Sequence, residues 1–375
     1  METQRSAKQV IGHNVNTNTR RPSRPLEQEP SMPRSRTFRR AAGLLAVLPL
    51  LTLAAACGSD SDSDGGSNAN AFVLQVADPG NAGPLAVGKR DGTFDEALAP
   101  LNAKIEWVET TPGFSSNLKL FNTGQLDVSG GAYSPVVGAL SKDVGVKIIA
   151  TADPVGKDQN GIVVTEDSGI TSVNGLIGKR IAVNPAGKGE YITLKALQQA
   201  GIPFDQVERV PLQQADAASA FSTGQVEAWA SFLEPYQQAK AKGGVEIATE
   251  ASIGSVDNTI IAVRTEVLEQ RPDVAQKYLE VVQQLTDQQR ANPSDFENVF
   301  EKAGPRALKD DRLDRALALG SQAATPRYPT AQDGTDLESV STLFLEAGVI
   351  QKPVLASEVF FDLPAEVKEY ESNRK

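Results

Sequence analysis

A seven-residue segment occurs twice in this chain. Residues 121–127 read FNTGQLD, and residues 221–227 read FSTGQVE. In each copy an amphipathic helical stretch ends at a glycine, Gly124 or Gly224, and glycine readily adopts the left-handed conformation that closes a helix. A short apolar segment follows each copy, and then a turn containing Pro135 or Pro235 opens another helix. The repeat predicts two α/β lobes of the same construction.

The surroundings of the two copies also match. Residues 71–76 and 180–183 are apolar runs typical of buried strands, and a glycine-rich turn follows each of them. Further strand-like runs alternate with helical stretches, which favours mostly parallel sheets. These runs are residues 104–108, 147–150, 161–164 and 259–263. Open sheets of this kind bind ligands beyond the carboxyl ends of their strands, where helix N-termini present free N–H groups.

The N-terminal part of the chain predicts export and lipid attachment. Several arginines precede an apolar run at residues 41–56, three alanines end that run, and Cys57 follows them. This order is typical of a cleaved bacterial lipoprotein signal peptide, and the run is too short for a bilayer-spanning helix. A plain secretory signal followed by an incidental thiol is the alternative. Met32 is the expected translation start.

Charge and composition narrow the classes of function. Removal of residues 1–56 takes away nine of the 37 basic and three of the 47 acidic residues, which leaves a net charge of −16. Nucleic acid is therefore not an expected partner. The only histidine, His13, lies in the same segment. Nucleophiles activated by histidine and histidine-ligated zinc are thus excluded from the mature chain. An enzyme of this composition would have to use carboxylates, lysine or tyrosine alone, and we expect no cofactor and no metal.

The stretch from residue 176 to residue 236 resembles a known family. It reads LIGKRIAV, then LKALQQAG at residues 194–201, QADAASAFSTGQVEAW at residues 214–229, and EPY at residues 234–236. Over residues 72–362 the chain resembles the solute-binding lipoproteins of ABC importers for nitrate, sulfonate and taurine. The resemblance implies an α/β, two-lobed type II periplasmic-binding-protein fold, with a ligand cleft between lobes that are each a mostly parallel sheet flanked by helices.

The resemblance also implies a domain organisation and partners. Residues 1–56 would be the leader and signal peptide, and residues 57–70, rich in Ser, Asp and Gly, a flexible tether. The first lobe would comprise residues 71–157 and 259–375, including the C-terminal helices, and the second lobe residues 158–258. Crossovers between the lobes are expected at residues 153–160 and 255–259. The mature chain would be a monomer on the outer face of the cytoplasmic membrane, serving permease and ATPase subunits.

Candidate ligand contacts lie on the loops at the strand ends. They are Gly80, Asn81, Gly130, Gly131, Ala132, Tyr133, Gly187, Lys188, Gly189, Glu190, Phe232 and Glu234. Lys188 follows the second-lobe strand where sulfonate binders of the family commonly have hydroxyl residues. Its ammonium suits an anion. A solvated surface lysine is the alternative.

Two further residues carry alternative interpretations. Glu234 stands where the family has an acidic residue, and it would either contact an amine-bearing solute or cap the helix that starts at Pro235. Trp229 would pack in the core or stack on a ligand, and packing is the preferred interpretation.

These residues predict capture of a small solute rather than catalysis. The preferred ligand is an organic sulfonate or a comparable small anion; nitrate, an amine-bearing solute and a thiamine pyrimidine precursor are the alternatives. An extracytoplasmic enzyme or a receptor-linked sensor on the same fold remains a less favoured alternative. No carboxylate dyad suited to hydrolysis is recognisable.

Overall fold

The computed structural model describes residues 71–156 and 158–374. The predicted leader, Cys57 and the predicted tether lie outside the described residues. Within these two ranges, no helix combines the length and the apolar composition that a membrane span requires.

Strands and helices alternate along most of the chain. The strands are β1 (Phe72–Ala77), β2 (Ala103–Val108), β3 (Val128–Ala132), β4 (Val146–Ala152), β5 (Asn160–Val164), β6 (Arg180–Val183), β7 (Glu208–Pro211), β8 (Ala228–Phe232), β9 (Val245–Thr249) and β10 (Thr259–Arg264). The helices are α1 (Pro84–Asp91), α2 (Thr93–Leu98), α3 (Leu118–Asn122), α4 (Tyr133–Leu140), α5 (Lys188–Ala200), α6 (Gln214–Ser222), α7 (Leu233–Ala241), α8 (Thr265–Gln270), α9 (Pro272–Ala291), α10 (Asp310–Gly320), α11 (Ala331–Glu346), α12 (Ala356–Val359) and α13 (Leu363–Asn373). Short 3-10 turns include Phe114–Asn117 and Pro293–Phe296.

The strands form two sheets of the same topology. The first sheet has the order β2-β1-β3-β10-β4, and the second has the order β7-β6-β8-β5-β9. We call each sheet with its flanking helices a lobe. The repeated segments occupy equivalent places, because one precedes β3 and the other precedes β8. The two-lobed α/β fold predicted from the repeat is therefore observed.

One strand in each sheet runs against its neighbours. β10 pairs antiparallel with β3 and β4, and β5 pairs antiparallel with β8 and β9, whereas the remaining pairs are parallel. Each of these two strands follows a crossover from the other sheet. Since the crossovers lie beside the carboxyl ends of the other strands, a strand that enters there must run away from that edge. The sheets are thus mostly parallel in strand direction, with one inserted antiparallel strand each.

The outer core of the first lobe is built on α9. Val274, Tyr278, Val281 and Leu285 recur every three or four residues on this helix and are all buried. This spacing places them on one face of the helix. Phe94 of α2 stacks on Tyr278 with ring centroids 5.4 Å apart. The face of α9 therefore closes the first lobe against α2 and the sheet.

Helix α11, in the C-terminal part of the chain, is fixed to the start of α4 by a buried aspartate. Asp333 accepts hydrogen bonds from Arg327 Nη1 at 2.6 Å and from the Tyr133 hydroxyl at 2.8 Å. Burial opposes ionisation of Asp333, but the bonds from Arg327, Thr330 and Tyr133 outweigh it and hold the pKa of this carboxyl well below its ordinary value. The start of α11 is thus fixed to the start of α4.

Candidate functional site

The two lobes meet at the carboxyl ends of their strands. A Cβ atom placed on Gly138 of α4 would lie 2.2 Å from the carbonyl oxygen of Ala186, which belongs to the loop between β6 and α5. Nearby, Ser116 Oγ of the first lobe donates to Gln213 Oε1 of the second lobe at 3.3 Å. The loop between β6 and α5, which was predicted to hold ligand contacts, therefore lies at the interface between the lobes.

The loop between β6 and α5 is held by its own side chains. Asn184 Oδ1 accepts from Gly189 N at 2.6 Å, and Glu190 Oε2 accepts from Ala186 N at 2.6 Å. A Cβ atom on Gly187 would lie 2.0 Å from Asn184 Nδ2, so only glycine fits there. The Glu190 carboxylate is buried, and its other oxygen, Oε1, lies 3.4 Å from Arg209 Nε of β7.

Lys188 is the first residue of α5, and its ammonium is enclosed. Lys188 Nζ lies 2.9 Å from Glu250 Oε1 and 3.1 Å from Asp257 Oδ2, and 16% of its side chain is exposed. Burial opposes the charge, but the neighbouring Asp257 and Glu250 carboxylates outweigh it and raise the pKa of Lys188 above its ordinary value. The interpretation of Lys188 as a solvated surface residue is wrong.

Asp257 connects Lys188 to the first lobe. Its side chain is fully buried. Asp257 Oδ1 accepts from Ser134 N at 2.8 Å, and Asp257 Oδ2 accepts from Ser134 Oγ at 2.7 Å. Ser134 is the second residue of α4, where the helix dipole favours a negative charge, and the next residue, Pro135, has no N–H to offer. The protein's own carboxylate thus occupies the start of α4.

Glu250 contacts two further polar side chains near the crossovers. It accepts from Ser255 Oγ at 2.9 Å and from the side-chain amide of Asn160. The side-chain oxygen Oδ1 of Asn160 in turn accepts from Leu233 N, the first N–H of α7, at 2.8 Å. The starts of α4 and α7 are therefore capped in the same way, each by a side chain from a crossover. The cap is charged at α4 and neutral at α7.

The predicted residues at the end of β3 have mainly packing contacts. A Cβ atom on Gly131 would touch the Phe114 ring at 3.1 Å, and Gly130 and Ala132 lie in β3 itself. The Tyr133 hydroxyl bonds to Thr151 Oγ1 at 3.0 Å as well as to Asp333. Burial, followed by the Asp333 charge, raises the pKa of the Tyr133 phenol above its ordinary value. This phenol is fully buried and points toward α11.

The predicted residues at the end of β1 contact the C-terminal half of the chain. Gly80 donates its N–H to Asp78 Oδ1 at 2.8 Å in a tight turn. The Asn81 side chain donates to Glu301 O at 3.0 Å and accepts from Phe300 N at 2.9 Å. These contacts hold the turn against residues 299–306.

The predicted residues at the end of β8 lie at the rim of the interface. Glu234 Oε1 lies 2.7 Å from Arg312 Nη2 of α10, and both side chains are nearly half exposed. The Phe232 carbonyl oxygen accepts from Gln214 Nε2 at 3.2 Å. Trp229 is buried and packs on Phe221, with ring centroids 6.0 Å apart. Trp229 therefore belongs to the core of the second lobe, as preferred from the sequence.

A cavity of about 690 Å³ lies beside the Ser116 contact, between α6 and α7. Its lining includes Ala218, Phe221 and Trp229 of the second lobe and Thr111 of the first. The cavity has the size and the partly apolar lining of small-molecule pockets. It can hold the apolar body of a small solute.

Comparison with known proteins identifies the family. A family model described as NMT1/THI5 like matches residues 102–296, which is just over half of the chain. The chain belongs to the NMT1/THI5-like family. The putative aliphatic sulfonates-binding protein of Bacillus subtilis strain 168 is 30% identical over 241 residues, covering 64% of this chain and 71% of that protein. The family resemblance that the motifs in residues 176–236 indicated is confirmed.

Two further similarities support the fold. The taurine-binding periplasmic protein of Escherichia coli strain K12 is 26% identical over 271 residues, covering 70% of this chain and 82% of that protein. The structure of the alkanesulfonate-binding protein SsuA from Xanthomonas axonopodis pv. citri, bound to MOPS, matches with a TM-score of 0.65 at 21% identity. The match covers 77% of this chain and 98% of SsuA, and it confirms the periplasmic-binding-protein fold.

Sequence reasoning missed the residues that surround Lys188 in this NMT1/THI5-like protein. Ser134, Asn160, Glu250 and Asp257 were not among the predicted contacts, although they link the two helix starts to the crossovers. A clue was present, because Asn160 and Asp257 fall inside the predicted crossovers. Polar residues in a segment that passes between lobes must find partners there once they are buried.

Proposed function

We propose that the protein is the extracytoplasmic solute-binding component of an ABC importer. It captures a small organic anion of the aliphatic sulfonate or taurine type between its lobes and delivers it to a permease. The observation that carries the proposal is the family membership, together with relatives named for binding sulfonates and taurine. These relatives are named as binding proteins, which supports solute binding rather than catalysis for this chain.

The geometry of the interface supports capture by closure. The loops at the strand ends of both lobes face each other, and Gly138 of the first lobe packs directly on Ala186 of the second. A solute held there contacts both lobes only when they are closed. Solute binding then favours the closed form because that form has the higher affinity.

The predicted ligand contacts remain part of this proposal with altered roles. The start of α5, at Gly187, Lys188 and Gly189, offers positive helix-dipole potential beside an ammonium. Tyr133 and Asn81 support the loops through their protein contacts. Glu234 and Phe232 stand at the rim, where a solute enters.

The charge at the interface favours a solute that also carries an amine. Two buried carboxylates, those of Glu250 and Asp257, face the single ammonium of Lys188. Their summed formal charge is negative, which attracts a cationic group and disfavours a bare anion. In a zwitterion such as taurine, the sulfonate would face the start of α5 and the amine would be drawn toward this negative cluster.

The proposal includes the location of the protein. Lipid attachment at Cys57 would hold the mature chain at the outer face of the cytoplasmic membrane, next to its permease and ATPase partners. The mature chain would act as a monomer. The relative named as a periplasmic protein supports an extracytoplasmic location.

A thermal-shift panel tests the ligand class. Purified mature protein would be heated with taurine, ethanesulfonate, nitrate, a pyrimidine precursor of thiamine and ethanolamine. Ethanesulfonate lacks the amine of taurine and ethanolamine lacks its sulfonate, so these two solutes act as matched controls. We expect stabilisation by taurine above ethanesulfonate and none by ethanolamine. Stabilisation by ethanolamine alone, or by none of the panel, would contradict the proposed ligand class.

A further inference from the structure

We infer that the ion pair between Lys188 and Asp257 is a latch that holds the lobes closed. Both are then positioning residues: they set solute affinity through the lobe arrangement rather than by contacting the solute. The inference rests on the proposed solute-binding function, since it assigns to the ion pair a share of the closure that captures the solute.

The pair joins the lobes through a continuous set of contacts. Lys188 belongs to α5 of the second lobe, and its Nζ lies 3.1 Å from Asp257 Oδ2. Asp257 is fastened to the first lobe by the two hydrogen bonds from Ser134 at the start of α4. Separation of the lobes must therefore break the ion pair or pull Asp257 off the helix start.

The pair is shielded from solvent, which makes it strong when intact and costly when one partner is lost. The Asp257 side chain is fully buried, and only 16% of the Lys188 side chain is exposed. Salt and water screen a buried pair much less than a surface pair. Removal of one partner leaves an uncompensated buried charge, which destabilises the arrangement strongly.

A second ion pair between the lobes, also among the described residues, is much weaker because it is exposed to solvent. Glu234 of α7 pairs with Arg312 of α10, but their side chains are 40% and 47% exposed. Exposed pairs of this kind contribute little. Among the ion pairs of the described residues, the buried pair of Lys188 and Asp257 therefore contributes most of the electrostatic attraction between the lobes.

Glu250 makes the latch depend on Lys188 more than on Asp257. Glu250 lies 2.9 Å from Lys188 Nζ and is itself fixed by Asn160 and Ser255. Without Lys188, two buried carboxylates repel each other across the crossover. Without the Asp257 charge, Lys188 and Glu250 still neutralise each other. The two single changes are therefore expected to differ in size.

Interlobe distances in the absence of added solute test the latch directly. Spin labels would be placed on exposed edge strands, at Lys104→Cys in the first lobe and Glu208→Cys in the second, in a Cys57→Ser background. Double electron–electron resonance then reports the distance distribution. We expect Lys188→Met to shift it clearly to longer distances, and Asp257→Asn to shift it less.

The double variant gives the decisive signature. Because Asp257→Asn removes the repulsion that Lys188→Met creates, the double variant should be less open than Lys188→Met alone. Lys240→Gln is the matched control, since Lys240 pairs with Glu246 inside the second lobe. It should leave the distances unchanged. Thermal unfolding of each variant verifies that the fold is intact.

Solute affinity provides the second readout. Titration calorimetry with taurine and ethanesulfonate should show affinity reduced on the order of 10-fold or more in Lys188→Met, because the closed form is less populated. Wild-type distances in both single variants would overturn the latch, whatever they bind. If wild-type protein binds neither solute, the proposed ligand class fails, and the distances alone still decide on the latch.

Discussion

A methyl group on Gly138 should act as a wedge between the lobes. Gly138 lies in α4, and a Cβ atom there would stand 2.2 Å from the Ala186 carbonyl oxygen and 2.7 Å from the Ala186 Cβ. Ordinary contact begins near 3.4 Å, so the two surfaces must separate by about 1 Å. Ala186 has little freedom to move, because its φ is already 51° and its N–H is bonded to Glu190.

The two effects of Gly138→Ala have opposite signs. Overpacking costs about 1–3 kcal/mol, and here the cost falls only on the closed form. Alanine in place of glycine favours the helix by about 1 kcal/mol whether the lobes are open or closed. The variant should therefore unfold at the same temperature as wild type or higher, while solute affinity falls by roughly 5- to 150-fold.

Calorimetry with the best solute of the panel, together with a thermal melt, checks this pair of effects. Gly334→Ala is the control: Gly334 lies inside α11, and its added Cβ would stand 3.2 Å from Ala356 within the first lobe. This control should keep wild-type affinity. Unchanged affinity in Gly138→Ala would refute the contact between α4 and the 186 loop as a closing surface. A large fall in melting temperature would show that the clash strains the fold itself.

Three further predictions concern stability and location. Asp333→Asn should lower the free energy of unfolding by about 2–3 kcal/mol at pH 7, since charged hydrogen bonds from Arg327 and Tyr133 are lost. Because the folded pKa of Asp333 is lowered, its contribution is present above the ordinary value of 3.8 and is lost as the pH falls. Urea unfolding at pH 7 and pH 3 should therefore show a smaller difference between wild type and variant at pH 3; an equal difference would refute the charge argument. Trp229→Ala should cost about 3–5 kcal/mol in the same assay, because it removes a buried ring packed on Phe221; a loss below 1 kcal/mol would contradict core packing. Cys57→Ser should release the protein from the membrane fraction, and full retention after detergent partitioning would exclude a lipid anchor there.

The local pattern of apolar residues and turns predicted the bounds of the strands well. The strand at residues 180–183 was predicted with the bounds of β6, and the other predicted strands lie within one or two residues of β1, β2, β4, β5 and β10. The repeat located two equivalent lobes because each copy encodes a helix end and a following strand within a dozen residues.

The hydrogen-bond and ion-pair partners of the candidate residues could not be predicted from the sequence, because they come from distant parts of the chain. The phenol of Tyr133 was predicted to face a ligand, yet it bonds to Asp333, 200 residues away. The ammonium of Lys188 was placed correctly at a helix start, but its partner Glu250 is 62 residues away. Nothing in the local sequence distinguishes a lysine that meets a carboxylate of its own chain from one that meets a ligand.

The order of strands in the two sheets has a consequence for how the chain folds. The strands of the second sheet all lie between Asn160 and Thr249, so this sheet can form from one continuous stretch. In the first sheet, β10 inserts between β3 and β4. The hydrogen bond of Tyr133 also needs Asp333, which lies 200 residues further along the chain. Contacts of such sequence separation form slowly because a long loop must close first. The second lobe should therefore fold early, while the first stays incomplete until the C-terminal helices are made.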